Sequence, residues 1–132
     1  MIPKYRVWEP DTNFMNNQVR ITWNRFGSDE ICVEATEAFG WIEVDSKYLM
    51  QSTGLKDKHG VEIFEGDIVS IENHPFQKTK DSAIGFQIEG DYQIVWNDND
   101  MTWCAGNFLL SRLKPYVTVK SNIYENPKLL EN

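Results

Sequence analysis

The sequence is poor in the residues that most enzyme chemistry needs. It holds two histidines and two cysteines. His59 lies in a Lys-Asp-Lys-His-Gly run and His74 precedes Pro75, so both read as exposed loop positions away from either cysteine. No C-x-x-C or H-x-x-x-H spacing is present, and a zinc site fails on counting. No G-x-S-x-G elbow or phosphate-binding loop occurs, and a nucleophile without a neighbouring base is not activated. The apolar runs are only a few residues long, far below the ~20 that a membrane-spanning helix needs. Residues 1–8 lack the apolar stretch of a secretory signal. Cys32 and Cys104 each sit in an apolar segment and read as small buried hydrophobes, since a cytosolic chain rarely holds a disulfide. These shortages predict a cytoplasmic protein that is not an enzyme and has no metal or cofactor.

Basic charge is also short. Thirteen Lys and Arg face 20 Asp and Glu, for a net charge of -7. That weighs against membrane-surface and plain nucleic-acid binding, both driven by clustered Lys and Arg. The deficit is concentrated. Residues 28–45 carry Asp29, Glu30, Glu34, Glu37, Glu43 and Asp45 without a base, and residues 81–111 carry Asp81, Glu89, Asp91, Asp98 and Asp100 without one. The ordinary reading is a solvated face on each strand. The sharper one is an acidic surface for a basic partner, such as a host nucleic-acid-binding protein, with association steered by charge.

What the chain does have is an apolar content of 41% and 13% aromatics, enough for a folded core in 132 residues. Alternation with period two dominates. Val19, Ile21 and Trp23 alternate with Arg20, Thr22 and Asn24, which places apolar groups on one face of a strand. Similar short runs cover residues 31–35, 41–44, 61–64, 68–71, 84–88, 92–96, 101–104 and 116–119. Short β-branched and aromatic runs at this spacing predict an all-β barrel or sandwich.

The turns between them carry their own signals. Residues 56–60 suit a type I turn closed by Gly60 at positive φ. Glu89-Gly90-Asp91 reads as a hairpin loop, and residues 96–100 as a turn in which Asn and Asp bond back to their own backbone. Residues 74–82 read as an exposed loop. Thr53-Gly54-Leu55 reads as a chain reversal with Leu55 buried. Gly40 marks a bulge or turn. Helix is scarce: a short one is expected within residues 45–50, and Asn126 with Pro127 suits the start of one C-terminal turn.

Two segments are specific enough to resemble a family. Residues 49–69 run L-M-Q-S-T-G-L-K-D-K-H-G-V-E-I-F-E-G-D-I-V, and residues 121–130 run S-N-I-Y-E-N-P-K-L-L. Both are similar to motifs of the YopX family of phage and prophage proteins, as is Tyr5-Arg6-Val7-Trp8 near the start. Ser121 and Lys128 depart from the family's usual Gly and Glu. The resemblance implies a small fold with an SH3-like barrel, a phage or prophage setting and self-association, but no defined reaction.

The motif residues Thr53, Gly54, Asp57, Gly60, Glu65, Gly66, Asp67, Asn122, Tyr124, Asn126 and Pro127 read as structural. Glu65 and Asp67 lack the further acid or histidine that would make them a catalytic or metal pair. Asp67 suits bonding to backbone amides at a turn, and Ile123, Tyr124 and Leu130 are expected to pack on the barrel. Five tryptophans exceed what one small core hides easily, so Trp23, Trp41, Trp96 and Trp103 are candidate partner-binding residues.

The full expectation is an all-β protein. Residues 1–54 form an N-terminal β-layer, 55–120 an SH3-like barrel, and 121–132 a docked tail with a short helical turn. The expected function is that of a non-enzymatic phage or prophage accessory protein, acting through protein–protein contact or self-assembly in the host cytoplasm. The alternative is a nucleic-acid-binding module using the barrel face, for which Arg20, Arg25, Lys78 and Lys80 are the available bases. A homo-oligomer and a host or phage protein are the expected partners.

Overall fold

The computed structural model describes residues 4–23, 31–37, 40–72 and 89–130. The expected strand at 84–88, the loop at 74–82 with His74, and Asp29, Glu30 and Asp81 lie outside those residues. The fold is all-β, with short helical turns. It divides into two units, residues 1–52 and 53–132.

The first unit holds two antiparallel sets of strands. β1 (Tyr5–Glu9) pairs with β2 (Phe14–Asn16) and with the first half of β6 (Leu49–Lys56), in the registers Trp8↔Met15 and Arg6↔Met50. Val7 and Trp8 are consecutive and both buried, so both faces of β1 are covered. β3 (Val19–Trp23), β4 (Ile31–Glu37) and β5 (Gly40–Val44) form a meander. Its register sets Arg20 opposite Glu34, Glu34 opposite Glu43 and Thr36 opposite Trp41. These residues share one face, and Val33 and Ala35 on the other are buried. Asn16 ties the unit together: its Nδ2 donates to Glu9 Oε2 and to the Thr36 carbonyl, and its Oδ1 accepts from the Gln18 amide. The helix expected within residues 45–50 is one 3-10 turn, Ser46–Tyr48, capped by Asp45. Leu49 and Met50 already belong to β6.

The second unit is a curled half-barrel. It contains the second half of β6, β7 (Glu62–Phe64), β8 (Asp67–Ile71), β9 (Gly90–Asn97), β10 (Thr102–Ala105), β11 (Phe108–Leu109) and β12 (Val117–Asn122). Five of these strands form an antiparallel sheet in the order β11-β10-β9-β8-β12. All residues of β8 are buried, so this strand runs through the middle of the unit. Its core joins Ile63, Val69, Ile71, Ile94, Ala105, Leu110, Leu113 and Val117. A four-residue helix α1 (Leu110–Leu113) and a 3-10 turn (Lys114–Tyr116) lead into β12, which shifts register between Val119 and Ser121. The chain ends in the 3-10 turn Pro127–Leu130. No helix among the described residues is long and apolar enough to cross a membrane.

Three expectations are corrected here. Thr53-Gly54-Leu55 does not reverse the chain: Gly54 takes φ 77 within β6. The strand tolerates this because the Thr53 hydroxyl donates to the Ile63 carbonyl at 2.8 Å and accepts from the Leu55 amide at 3.1 Å. Leu55 is only half-buried there. Gly90 and Asp91 are not a hairpin loop, since both are paired strand residues opposite Ile71 and Ser70. Leu130 is exposed, whereas Ile123 and Tyr124 are half-buried.

Candidate functional site

The two motif segments, far apart in sequence, meet in the second unit. Asp57 is the centre of the first. Its Oδ1 accepts from the His59 amide at 2.8 Å and the Val61 amide at 2.9 Å, and its Oδ2 accepts from the Val119 amide on β12 at 2.9 Å. The turn is closed by Asp57–Val61 and Gly60–Asp57 backbone bonds, and Gly60 stands at φ 84. The Lys58 amide adds a bond to the Val117 carbonyl. One short side chain therefore shapes a turn and binds it to a strand sixty residues later.

The Glu65-Gly66-Asp67 turn is fixed in the same manner. Asp67 Oδ2 accepts from the Phe64 amide at 2.8 Å, and Gly66 adopts φ 83. Glu65 is half-buried in this turn. The Gly66 amide donates to the Ile94 carbonyl on β9, and its own carbonyl accepts from Ile123. Asn122 lies opposite Asp67 in the β8–β12 register. Its Oδ1 accepts from the Tyr124 and Glu125 amides and its carbonyl from Asn126. The Asn126 carbonyl then accepts from Leu129, which opens the Pro127–Leu130 turn.

Electrostatics follow this geometry. Burial acts to raise the Asp57 pKa. The Val119, Val61 and His59 amides and the adjacent His59 side chain outweigh it, and the carboxyl is held below its ordinary value. Burial pushes up the Tyr92 hydroxyl. It also pushes up the Cys104 thiol, with Asp100 adding to the rise and a bond from Asn97 opposing it. Cys104 is fully buried, Cys32 only half-buried, and both are free thiols. Among the described residues, no three His, Cys, Asp or Glu side chains gather where they would hold a metal ion.

The tryptophans divide into distinct groups. Trp8 is core. Trp41 is 41% exposed on the outer face of the β3-β4-β5 sheet. The Arg20 guanidinium lies 4.3 Å from its ring centroid, while Arg20 Nε and Nη2 donate to the Glu34 carboxylate at 3.1 and 3.2 Å. Trp96 and Trp103 form a cross-strand pair, with ring centroids 5.1 Å apart and planes at 75°. Trp103 packs against the core, whereas Trp96 is 42% exposed at the hairpin end of the same face. Trp23 has a backbone place in β3, and its side chain lies outside the described residues.

Bases from outside the acidic segments, or from the residues just after them, meet part of their charge. Arg20 meets Glu34, Lys47 meets Asp45 at 3.9 Å, and Lys120 meets Asp91 at 3.4 Å. Sequence reasoning missed Met101, which is 72% exposed at φ 53, and Phe14, which is 55% exposed. The signal for Met101 was available: it ends a four-residue hairpin loop at the position that favours Gly or Asn.

Two comparisons with known proteins extend over nearly the whole chain. The family model described as YopX protein matches residues 4–131. The crystal structure of protein EF1440 from Enterococcus faecalis is 27% identical in sequence, with a TM-score of 0.59 and 99% of each chain covered. No curated protein matches the chain.

Proposed function

The chain belongs to the YopX family, and from that premise we propose that it is a non-enzymatic phage or prophage accessory protein. It acts through protein–protein contact or self-assembly in the host cytoplasm. One observation carries this reading. The motif acids Asp57 and Asp67 are buried and accept backbone hydrogen bonds, whereas Trp41 and Trp96 keep large aromatic area at the surface. Side chains used to build turns are not displayed to a substrate. Aromatic area left in water is costly unless a partner covers it.

The nucleic-acid alternative gains less support. Base-stacking aromatics need a basic groove beside them. Trp96 is followed by Asp98 and Asp100, and the Arg20 beside Trp41 is already engaged by Glu34.

Sedimentation of the protein at micromolar concentration, alone and with host-cell proteins of the phage's bacterium, tests the proposal. The expected result is a mass above 15.4 kDa that persists at moderate salt. A strict monomer that joins no other protein, but is retained on DNA or RNA at low salt, overturns it.

A further inference from the structure

The β9–β10 hairpin end departs from what folding alone would select. Its last loop residue, Met101, has φ 53, a left-handed conformation that favours glycine or asparagine. The strain brings no burial in return, since Met101 is 72% exposed. A strained, apolar and exposed residue where a small polar one would be cheaper points to a role outside folding. Five residues earlier, Trp96 is exposed on the same hairpin and held at a fixed angle by Trp103. The loop between them is preformed: Asn97 Oδ1 accepts from the Asn99 amide at 2.9 Å and the Asp100 amide at 3.1 Å. A site that is already ordered loses little entropy on binding.

Within the hairpin's own chain segment the charge has one sign. Asp98 and Asp100 are exposed beside Trp96 and Met101, and no Lys or Arg occurs between residues 81 and 111. We propose that the Trp96–Met101 hairpin end is a docking site for a basic, apolar segment of another protein. Trp96 provides a rigid aromatic anchor and Met101 an adaptable apolar contact. The two carboxylates attract the partner's Lys or Arg side chains and favour a basic partner over an acidic one. This inference rests on the protein-contact reading above and names its surface.

The test uses the full chain and two labelled amphipathic 14-residue peptides, one of Leu and Lys and one of Leu and Glu, read by fluorescence anisotropy. The Leu/Lys peptide is expected to bind and the Leu/Glu peptide not to. Met101→Gly relieves the backbone strain, so it should melt no lower than the parent while losing about tenfold or more in affinity. Asp98→Asn with Asp100→Asn should weaken binding and flatten its salt dependence. Equal binding of both peptides, or binding unchanged by Met101→Gly, overturns the proposal. Loss of binding in Trp41→Ala instead would place the contact in the first unit, overturning this site but leaving the contact reading intact. A dimer that Met101→Gly dissociates would make a second copy of this chain the occupant and overturn the basic partner.

Discussion

In the second unit Asp57, Asp67 and Asn122 are at most 5% exposed and accept hydrogen bonds from backbone amides. In the first unit, Arg20, Glu34 and Trp41 lie on the outer face of a sheet and engage one another. The two arrangements differ in what happens when one partner is removed. A buried carboxylate leaves amides that water cannot easily reach, and each such loss costs about 1–3 kcal/mol. An exposed pair is exchanged for water and costs roughly 0–1 kcal/mol. Stability should therefore be sensitive to the motif residues and tolerant at the exposed face.

Asp57 offers the widest separation between the two. Asp57→Ala deprives three amides of their acceptor, on residues 59, 61 and 119. The expected loss is about 3 kcal/mol, measured from the denaturant midpoint. A loss no greater than that of Arg20→Ala would erase the contrast. The same carboxyl has its folded pKa below its unfolded value. Its contribution is therefore present above an unfolded pKa of about 3.9 and is lost as pH falls through the lower folded value. Asp57→Asn should flatten the acid limb of the stability profile in that window. An unchanged limb would assign the acid sensitivity to other groups.

Two glycines separate backbone strain from packing within the second unit. Gly106 has φ 59, and a Cβ added there would lie 2.8 Å from Cδ1 of the Tyr92 ring. Tyr92 packs on the core and meets Phe108 edge-on at 5.6 Å, so the ring has little room to give. Gly106→Ala should cost about 2 kcal/mol or more, from left-handed strain and overpacking together. At Gly60, φ is 84 but an added Cβ meets nothing within 4 Å. Gly60→Ala should cost only about 1 kcal/mol, from strain alone. Equal losses in thermal or urea unfolding would remove Tyr92 from the explanation.

Much of the second unit's framework was legible in sequence, because its turns rest on local chemistry. Asp57 bonds amides two and four residues on, and Asn97 amides two and three residues on, so a short sequence window contains each turn, although the Asp57 bond to Val119 lies outside it. The short alternating runs revealed most strands for the same reason. Long-range compensation was not legible. Gly54 looked like a reversal because the Thr53 hydroxyl's bond to Ile63 depends on a neighbouring strand. β11 and α1 are too short for periodicity to register. Exposure within a strand was equally hidden: Ile94 and Trp96 share a face by alternation, yet one is fully buried and the other 42% exposed. Where a core ends along a sheet depends on packing and leaves no mark in the pattern.

The smallest expected effect lies on the exposed face, where Arg20 serves two partners. Its side chain is 48% exposed and that of Glu34 is 22% exposed. A double-mutant cycle with Arg20→Ala and Glu34→Gln should therefore give a coupling of about 0.5 kcal/mol at low salt. Raising the salt to about 1 M shortens the screening length to ~3 Å and should remove most of that value. A second cycle, Arg20→Ala with Trp41→Ala, measures the stack over the ring, worth about 0.5–1 kcal/mol at an exposed site. Part of that energy is apolar contact between the guanidinium plane and the indole, so it should survive the salt better. Glu43 sits directly opposite Glu34, and like charges across a strand pair repel. Arg20 offsets that repulsion, and Glu43→Gln should accordingly favour stability more in the Arg20→Ala background than in the parent. If both cycles instead gave several kcal/mol, the outer sheet would resemble the buried turns, and exposure would not be the variable that separates the two units.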